Sequence, residues 1–109
     1  MTEEQQHGGD AIAIFCVMRP RPDTATALRE ALAALMEPTR AEPGCMTYDL
    51  YEAADGVIVL FEMWRTEAAL TAHQAQPAVR SLFDDQLSEL LAEEMEAHFS
   101  RPLRGASNN

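Results

Sequence analysis

The sequence predicts an α+β fold with the split β-α-β-β-α-β order that is called ferredoxin-like. Apolar runs of strand length alternate with segments in which apolar residues recur every three or four positions. With 109 residues, the chain has the length of one domain with one core. We therefore predict a single domain over residues 11–101, between a flexible N-terminal segment, 1–10, and a flexible C-terminal tail, 102–109.

The first strand is predicted from the apolar run Ala11 to Met18, which carries β-branched and aromatic residues at both parities. This pattern is typical of a strand that is covered on both faces. Pro20 and Pro22 end the strand because neither residue can donate a hydrogen bond to a ladder. Asp23 then predicts a helix N-cap, with the helix beginning near Thr24.

In the first helix, apolar side chains recur at three- and four-residue spacing and predict one stripe that faces the sheet, at Leu28, Ala31, Leu32, Leu35 and Met36. Pro38 predicts a kink or an early end, because its ring would clash with the carbonyl of Ala34 in a straight helix. Glu42, Pro43 and Gly44 provide the turn that leads to the second strand.

The second and third strands are predicted over Cys45 to Glu52 and Val57 to Arg65. The Asp55-Gly56 pair between them is a strong hairpin signal. One face of the third strand combines three apolar side chains with one carboxylate, at Ile58, Leu60, Glu62 and Trp64. The sequence therefore predicts a carboxylate within an otherwise apolar row.

The second helical region is predicted to begin after Thr66, a candidate N-cap, and to be divided at Pro77, which suits the first turn of a new segment. Its inward face begins with Leu70, His73 and Gln74. After the proline the apolar stripe resumes at Val79, Leu82, Phe83, Gln86, Leu87, Leu90 and Leu91.

Residues 93–101 are compatible with a continued helix and with a closing strand, and the alternation of Met95, Ala97 and Phe99 leads us to predict the strand. Both helices would then cover one face of an antiparallel sheet. Because the first and third strands are apolar on both sides, the other face also needs a cover. A second copy of the chain would supply it, so we predict a homodimer.

Composition limits the partners. Eight basic and 18 acidic side chains give a net charge of −10, which argues against nucleic acid and anionic membranes as partners. The sequence contains neither a signal-peptide pattern nor an apolar run of membrane-spanning length, so we predict a cytoplasmic protein. Cys16 and Cys45 are predicted to be reduced, and the scattered His7, His73 and His98 predict no metal site.

Two groups of residues resemble the antibiotic biosynthesis monooxygenase family. The first is the segment Glu42 to Tyr48, and the second comprises Phe61, Glu62, Met63, Trp64, Leu70, His73 and Pro77. The resemblance covers roughly residues 11–101 and is strongest to the quinol-monooxygenase-like members. It implies a dimeric α+β barrel that oxidises a quinol, phenolic or polycyclic aromatic substrate with molecular oxygen, without a metal or organic cofactor.

The same resemblance implies the roles of the site residues. His73 and Glu62 are expected to be catalytic, with His73 removing a substrate proton and Glu62 orienting it or acting as the base itself. Four residues are expected to bind the substrate: Trp64, Tyr48, Leu70 and Phe83. The family pattern commonly has a second histidine directly after the helix proline, where this chain has Ala78. This departure argues against an ordinary quinol substrate.

Each candidate also has a purely structural interpretation. His73 can be a helix histidine bonded to a nearby group, and Trp64 a large core side chain. Glu62 can be a strand carboxylate that pairs with Arg19 or Arg65.

Two other classes of function remain open. An isomerase or lyase of the dimeric-barrel type that acts on a small ring acid would need a cation in the pocket, and Arg19 and Arg65 are the candidates. A non-catalytic ligand-binding or stress-response module would keep the pocket but lose nothing when His73 and Glu62 are replaced.

Overall fold

The backbone follows the predicted order of strands and helices. The computed structural model describes residues 11–103. Its elements are β1 (Ile12–Met18), α1 (Ala25–Arg40), β2 (Cys45–Glu52), β3 (Ile58–Trp64), α2 (Glu67–Gln74), α3 (Pro77–Arg80), a π-helical segment (Ser81–Gln86), α4 (Leu87–Leu90) and β4 (Glu96–Ser100). The α+β, ferredoxin-like prediction is confirmed, and so is the choice of a closing strand. The segments predicted to be flexible lie outside the described residues, apart from residues 102 and 103.

The four strands form one antiparallel sheet with the order β2-β3-β1-β4. The register pairs Ile14 with Glu62 across β1 and β3, and Tyr48 with Glu62 across β2 and β3. Because directly paired residues point to the same face, these three side chains lie in one row across the sheet. The sheet is not closed, since β2 and β4 are its edges in the described part of the chain.

The first helix differs from its prediction at both ends. Thr24, not Asp23, occupies the N-cap, and its hydroxyl donates to the carbonyl of Leu90 at 2.6 Å instead of capping the helix. The Asp23 prediction is therefore wrong, because a contact with the second helical region fixes this end. At the other end the helix continues past Pro38 to Arg40, so it does not stop at the proline.

The second helical region confirms its two predicted start signals. The Thr66 hydroxyl accepts a hydrogen bond from the Ala69 amide at 3.1 Å, and Pro77 occupies the first turn of α3. The π-helical segment then widens the helix by one residue per turn, and the Leu87 amide donates to the carbonyl of Leu82. This wide turn keeps both leucines buried and leaves Gln86 exposed, so the predicted inward position of Gln86 is wrong.

The two sides of the sheet differ in cover. The side that carries the helices, called here the buried face, contains the core, with Ile12, Ile14, Cys16, Met18, Leu60 and Trp64 among its buried residues. The opposite side, called here the open face, presents Phe15, Val17, Tyr51, Val59, Phe61 and Met63 at partial or full exposure. One copy of the chain therefore covers only one face, and the homodimer stays a prediction. No helix among residues 11–103 is long and apolar enough to cross a membrane.

Candidate active site

A cavity of about 330 Å³ lies on the buried face, between the sheet and the second helical region. Its walls are mainly apolar and include Ile14, Cys16, Val79, Phe83, Met95 and Phe99. Glu62 and His73 also line it. A volume near the lower end of the usual range of roughly 300–1,000 Å³ suits a small organic molecule.

Glu62 extends from β3 into this apolar environment and is 6% exposed. Its Oε1 atom accepts a hydrogen bond of 2.8 Å from the indole N–H of Trp64. Burial raises the pKa of Glu62, although the Trp64 hydrogen bond and the nearby His73 oppose the shift. The alternative pairing with Arg19 or Arg65 is wrong, because Arg19 pairs with Asp55 at 3.5 Å and Arg65 lines a separate hollow.

His73 lies between two carboxyl groups and is 2% exposed. Its Nδ1 atom is 3.2 Å from both carboxylate oxygens of Glu42, whereas its Nε2 atom is 4.0 Å from Oε1 of Glu62. An ionised carboxylate only accepts hydrogen bonds, so Nδ1 donates to Glu42. This fixes the imidazole orientation and directs Nε2 towards Glu62, which lines the cavity.

Two aromatic side chains pack against the imidazole of His73. The Trp64 ring lies against His73 with centroids 4.6 Å apart and an angle of 33° between the planes. Tyr48 makes an edge contact with the same ring at 5.8 Å. Both side chains are fully buried and neither lines the cavity, so their direct contact is with the imidazole.

The other two predicted substrate-binding residues are separated. Phe83 lines the cavity, while Leu70 lines a neighbouring hollow of about 300 Å³. Phe99 borders both spaces. The structure therefore brings His73, Glu62 and Phe83 to one cavity and places Leu70 beside it.

Sequence reasoning missed Glu42 as a partner of His73. The sequence predicts Glu42 to be part of a turn, and because it lies 31 positions before His73, no local spacing links the two residues. Cys16 was also not expected at the cavity. Burial, together with the nearby Glu62, raises the pKa of its thiol to about 12, so the thiol stays protonated and weakly reactive.

Tyr48 is a further buried polar residue beside His73. Tyr48 has a hydroxyl with no hydrogen-bond partner among the described residues, and burial raises its pKa. Within the same residues, no cluster of three or more His, Cys, Asp or Glu side chains is arranged to hold a metal ion. Among the polar residues that line the cavity, Glu62 and His73 are the buried ones, and His73 is bonded to Glu42.

The model of the family described as "Antibiotic biosynthesis monooxygenase" matches residues 11–85. This match includes the entire Glu42, His73 and Glu62 cluster. The chain belongs to this family. The sequence-based assignment to the antibiotic biosynthesis monooxygenases is thereby confirmed.

Similar proteins share both the sequence and the fold. Over 97 residues the chain is 43% identical to "Putative monooxygenase Rv0793" of Mycobacterium tuberculosis, covering 88% of this chain and 95% of that protein. The solved structure of Rv0793 aligns with a TM-score of 0.83 at 42% identity, covering 90% and 100% of the two chains. A Shewanella oneidensis crystal structure aligns with a TM-score of 0.78 at 28% identity, covering 88% and 90%. The family and its fold are therefore shared over most of the described chain.

Proposed function

We propose that the protein is a cofactor-independent monooxygenase that oxidises a quinol, phenolic or polycyclic aromatic substrate with molecular oxygen. The observation that carries this proposal is the His73 imidazole, which is held between two carboxyl groups at an apolar cavity. Membership of the antibiotic biosynthesis monooxygenase family supports the reaction class.

The chemistry requires a substrate that becomes an electron donor after it loses a proton. Nε2 of His73 is the acceptor for that proton, and the Glu42 carboxylate stabilises the imidazolium that forms. The electron-rich anion then transfers an electron to oxygen, and the two radicals combine at a ring carbon to give a peroxide. Apolar walls such as Phe83 and Val79 keep water away from these species.

Glu62 supplies the complementary acid. Burial raises its pKa, which favours the protonated form, and the Trp64 hydrogen bond fixes the carboxyl group beside the cavity. A neutral carboxyl there can donate to a substrate oxygen or to the oxygen that leaves the peroxide. The pair suits a reaction in which a base removes a proton while a carboxyl group of raised pKa donates a hydrogen bond to the oxygen that gains negative charge.

A ring acid fits this cavity poorly, which argues against the isomerase or lyase alternative. An anionic substrate needs a fixed cation to pair with, and the buried carboxyl group of Glu62 supplies none. Arg80 is the cationic side chain at the cavity within the described chain, and it pairs with Asp84 at 3.5 Å. The cavity therefore favours a neutral aromatic molecule.

The proposal includes a homodimer in the cytoplasm. Phe15 is 44% exposed and Tyr51 is 59% exposed on the open face, so a second copy could bury aromatic area there. Cys16 and Cys45 are unpaired thiols, which suits a reducing compartment.

Oxygen uptake tests the reaction. The purified protein is incubated with hydroquinones, phenols and anthrones in the presence of a chelator and without added flavin. His73→Gln is expected to lower turnover on the order of a hundredfold or more, because it removes the proton acceptor. The exposed histidine of β4 provides the matched control, and His98→Gln should retain full turnover.

Two results would contradict the proposal. One is the absence of uptake with every substrate in the panel, and the other is full turnover by the folded His73→Gln variant. Saturable binding of an aromatic ligand without turnover would instead support a non-catalytic module.

A further inference from the structure

Two hollows meet at α2 but share no lining residue. The cavity described above contacts the end of α2 at His73 and Gln74. A second space of about 390 Å³, called here the outer hollow, is lined by Glu42, Gly44 and Arg65 and by the alanines on a different face of α2. The Glu42 side chain is 12% exposed and contacts His73. His73 and Glu42 therefore link two spaces that are otherwise separate.

We propose that His73 and Glu42 form a proton relay that connects the substrate cavity with solvent in the outer hollow. Its role in turnover rests on the monooxygenase function proposed above. The relay lets a proton leave and re-enter while the substrate occupies the cavity.

The two imidazole nitrogens have partners in different spaces, which is the geometry that a relay requires. Nδ1 donates to Glu42 at 3.2 Å, and Nε2 points towards Glu62 at 4.0 Å. A proton that arrives at Nε2 allows the Nδ1 proton to pass to the Glu42 carboxylate. Glu42 then releases that proton to water. No side chain has to move during these transfers, because the existing hydrogen bond already joins His73 to Glu42.

The proton count of the reaction requires proton transfer in both directions between the substrate and solvent. For an anthrone-type substrate, a ring CH₂ group and one oxygen molecule become a ring carbonyl and one water molecule. The carbon is oxidised, one oxygen atom stays on it, and both hydrogens end in water. The first C–H proton leaves through the relay when the anion forms, and one proton returns through the relay to the peroxide oxygen. The second C–H bond breaks together with the O–O bond, and its proton leaves with the hydroxide as water. The relay runs outward once and inward once, without net proton uptake.

The other titratable groups around the imidazole are poor alternatives as proton acceptors. Burial raises the pKa values of Tyr48, Cys16 and Cys45, so these groups keep their protons near neutral pH. Arg40 is engaged elsewhere, with the Tyr48 carbonyl and the Asp49 carboxylate. Glu42 is the partly exposed carboxylate in direct contact with Nδ1.

Two substitutions of Glu42 separate proton transfer from orientation. Glu42→Gln keeps an oxygen that accepts from Nδ1 but cannot take the proton, so turnover should fall on the order of a hundredfold with little change in KM. Glu42→Ala should lose similar activity, and formate should restore it in a concentration-dependent way by entering the outer hollow. Glu52→Gln, at an exposed carboxylate of β2, is the control and should behave like the unmodified protein.

A merely orienting Glu42 gives a different pattern. Glu42→Gln would then turn over close to the unmodified rate, and formate would leave Glu42→Ala inactive. Either result overturns the relay. Formate rescue of His73→Ala would also overturn it, because a carboxylate cannot replace the imidazole.

NMR of isotope-labelled imidazole nitrogens tests the contact without any substrate. With the ring neutral, the unmodified protein should show a protonated Nδ1 and an unprotonated Nε2 at His73. Glu42→Ala should lose this asymmetry and formate should restore it. Failure of formate to restore it overturns the relay even if the protein oxidises aromatic substrates. Restored asymmetry in a protein that consumes no oxygen would support the relay geometry and contradict the monooxygenase proposal instead.

Discussion

The two faces of β3 differ in burial and in the kind of side chain they carry, although their residues alternate along one strand. Towards the helices, Ile58, Leu60, Glu62 and Trp64 are buried, and the carboxyl group among them has a raised pKa. Towards the open side, Val59, Phe61 and Met63 are partly exposed, and Phe61 makes an edge contact with Phe15 at 6.4 Å. Because side chains alternate along a strand, the seven residues of β3 place the candidate catalytic carboxyl group on one face and the proposed dimer contact on the other. Substitutions one position apart should therefore have unrelated effects.

The largest effect is expected from truncation of the buried face. Leu60 is fully buried, so Leu60→Ala should lower the free energy of unfolding by about 2–5 kcal/mol through lost apolar burial and a cavity. Denaturant titration measures this loss. Val59→Ala in a monomeric background should cost less than about 1 kcal/mol, because Val59 lies on the open face. Equal costs in that background would contradict the difference between the faces.

The contrast extends to the turns on either side of β2. Gly44 and Gly56 both have positive φ, at 84° and 90°, which strains any residue with a Cβ atom. A Cβ at position 44 would lie 2.6 Å from the Cβ of Ala69, whereas position 56 has open space. Gly56→Ala should cost about 1 kcal/mol and Gly44→Ala about 2–4 kcal/mol. Similar melting temperatures for the two variants would show that the close packing of Gly44 against α2 does not contribute to stability.

Assembly should depend on the open face alone. Phe61→Glu is expected to convert the proposed dimer into a monomer, because it places a charge in the apolar contact, while changing monomer stability by about 1 kcal/mol or less. Analytical ultracentrifugation measures the oligomeric state of the variant. Phe99 is 62% exposed but lies at the cavity, so Phe99→Glu is the control that should stay dimeric. A monomeric unmodified protein at micromolar concentration would end the dimer proposal.

The smallest effect concerns the charge on the buried face. Because the folded-state pKa of Glu62 is raised above its ordinary value of 4.5, the fold binds this proton more tightly than the unfolded chain does. The stabilisation is complete below that value and is lost as the pH rises through the folded-state pKa. Glu62→Gln keeps an oxygen for the Trp64 N–H and never ionises. The difference between the melting temperatures of Glu62→Gln and the unmodified protein should therefore grow in favour of the variant from acidic to neutral pH. A constant difference would contradict the raised pKa.

Local patterns predicted most of the fold. The Thr66 cap, the Asp55-Gly56 hairpin and the Pro77 helix start depend on a few adjacent residues, so the sequence was sufficient for them. The Asp23 cap was wrong because a distant hydrogen bond, from the Thr24 hydroxyl to the Leu90 carbonyl, fixes the start of α1. The inward Gln86 was wrong because the helix widens to a π-helical turn there, which the three- and four-residue spacing of an α-helix does not describe.

The sequence by itself determined that Glu62 and Trp64 share the face of an apolar strand, because alternation is a property of the strand alone. It also determined that His73 lies on the inward stripe of its helix. Only the tertiary structure decided that Glu42 bonds Nδ1 of His73, that Trp64 donates to Glu62, and that Phe83 borders the cavity while Leu70 does not. The Glu42 and Phe83 relations join residues from different elements, whose separation depends on how the turn, the sheet and the helices pack against one another. The Trp64 bond joins two residues of β3, but the orientation of both side chains depends on core packing.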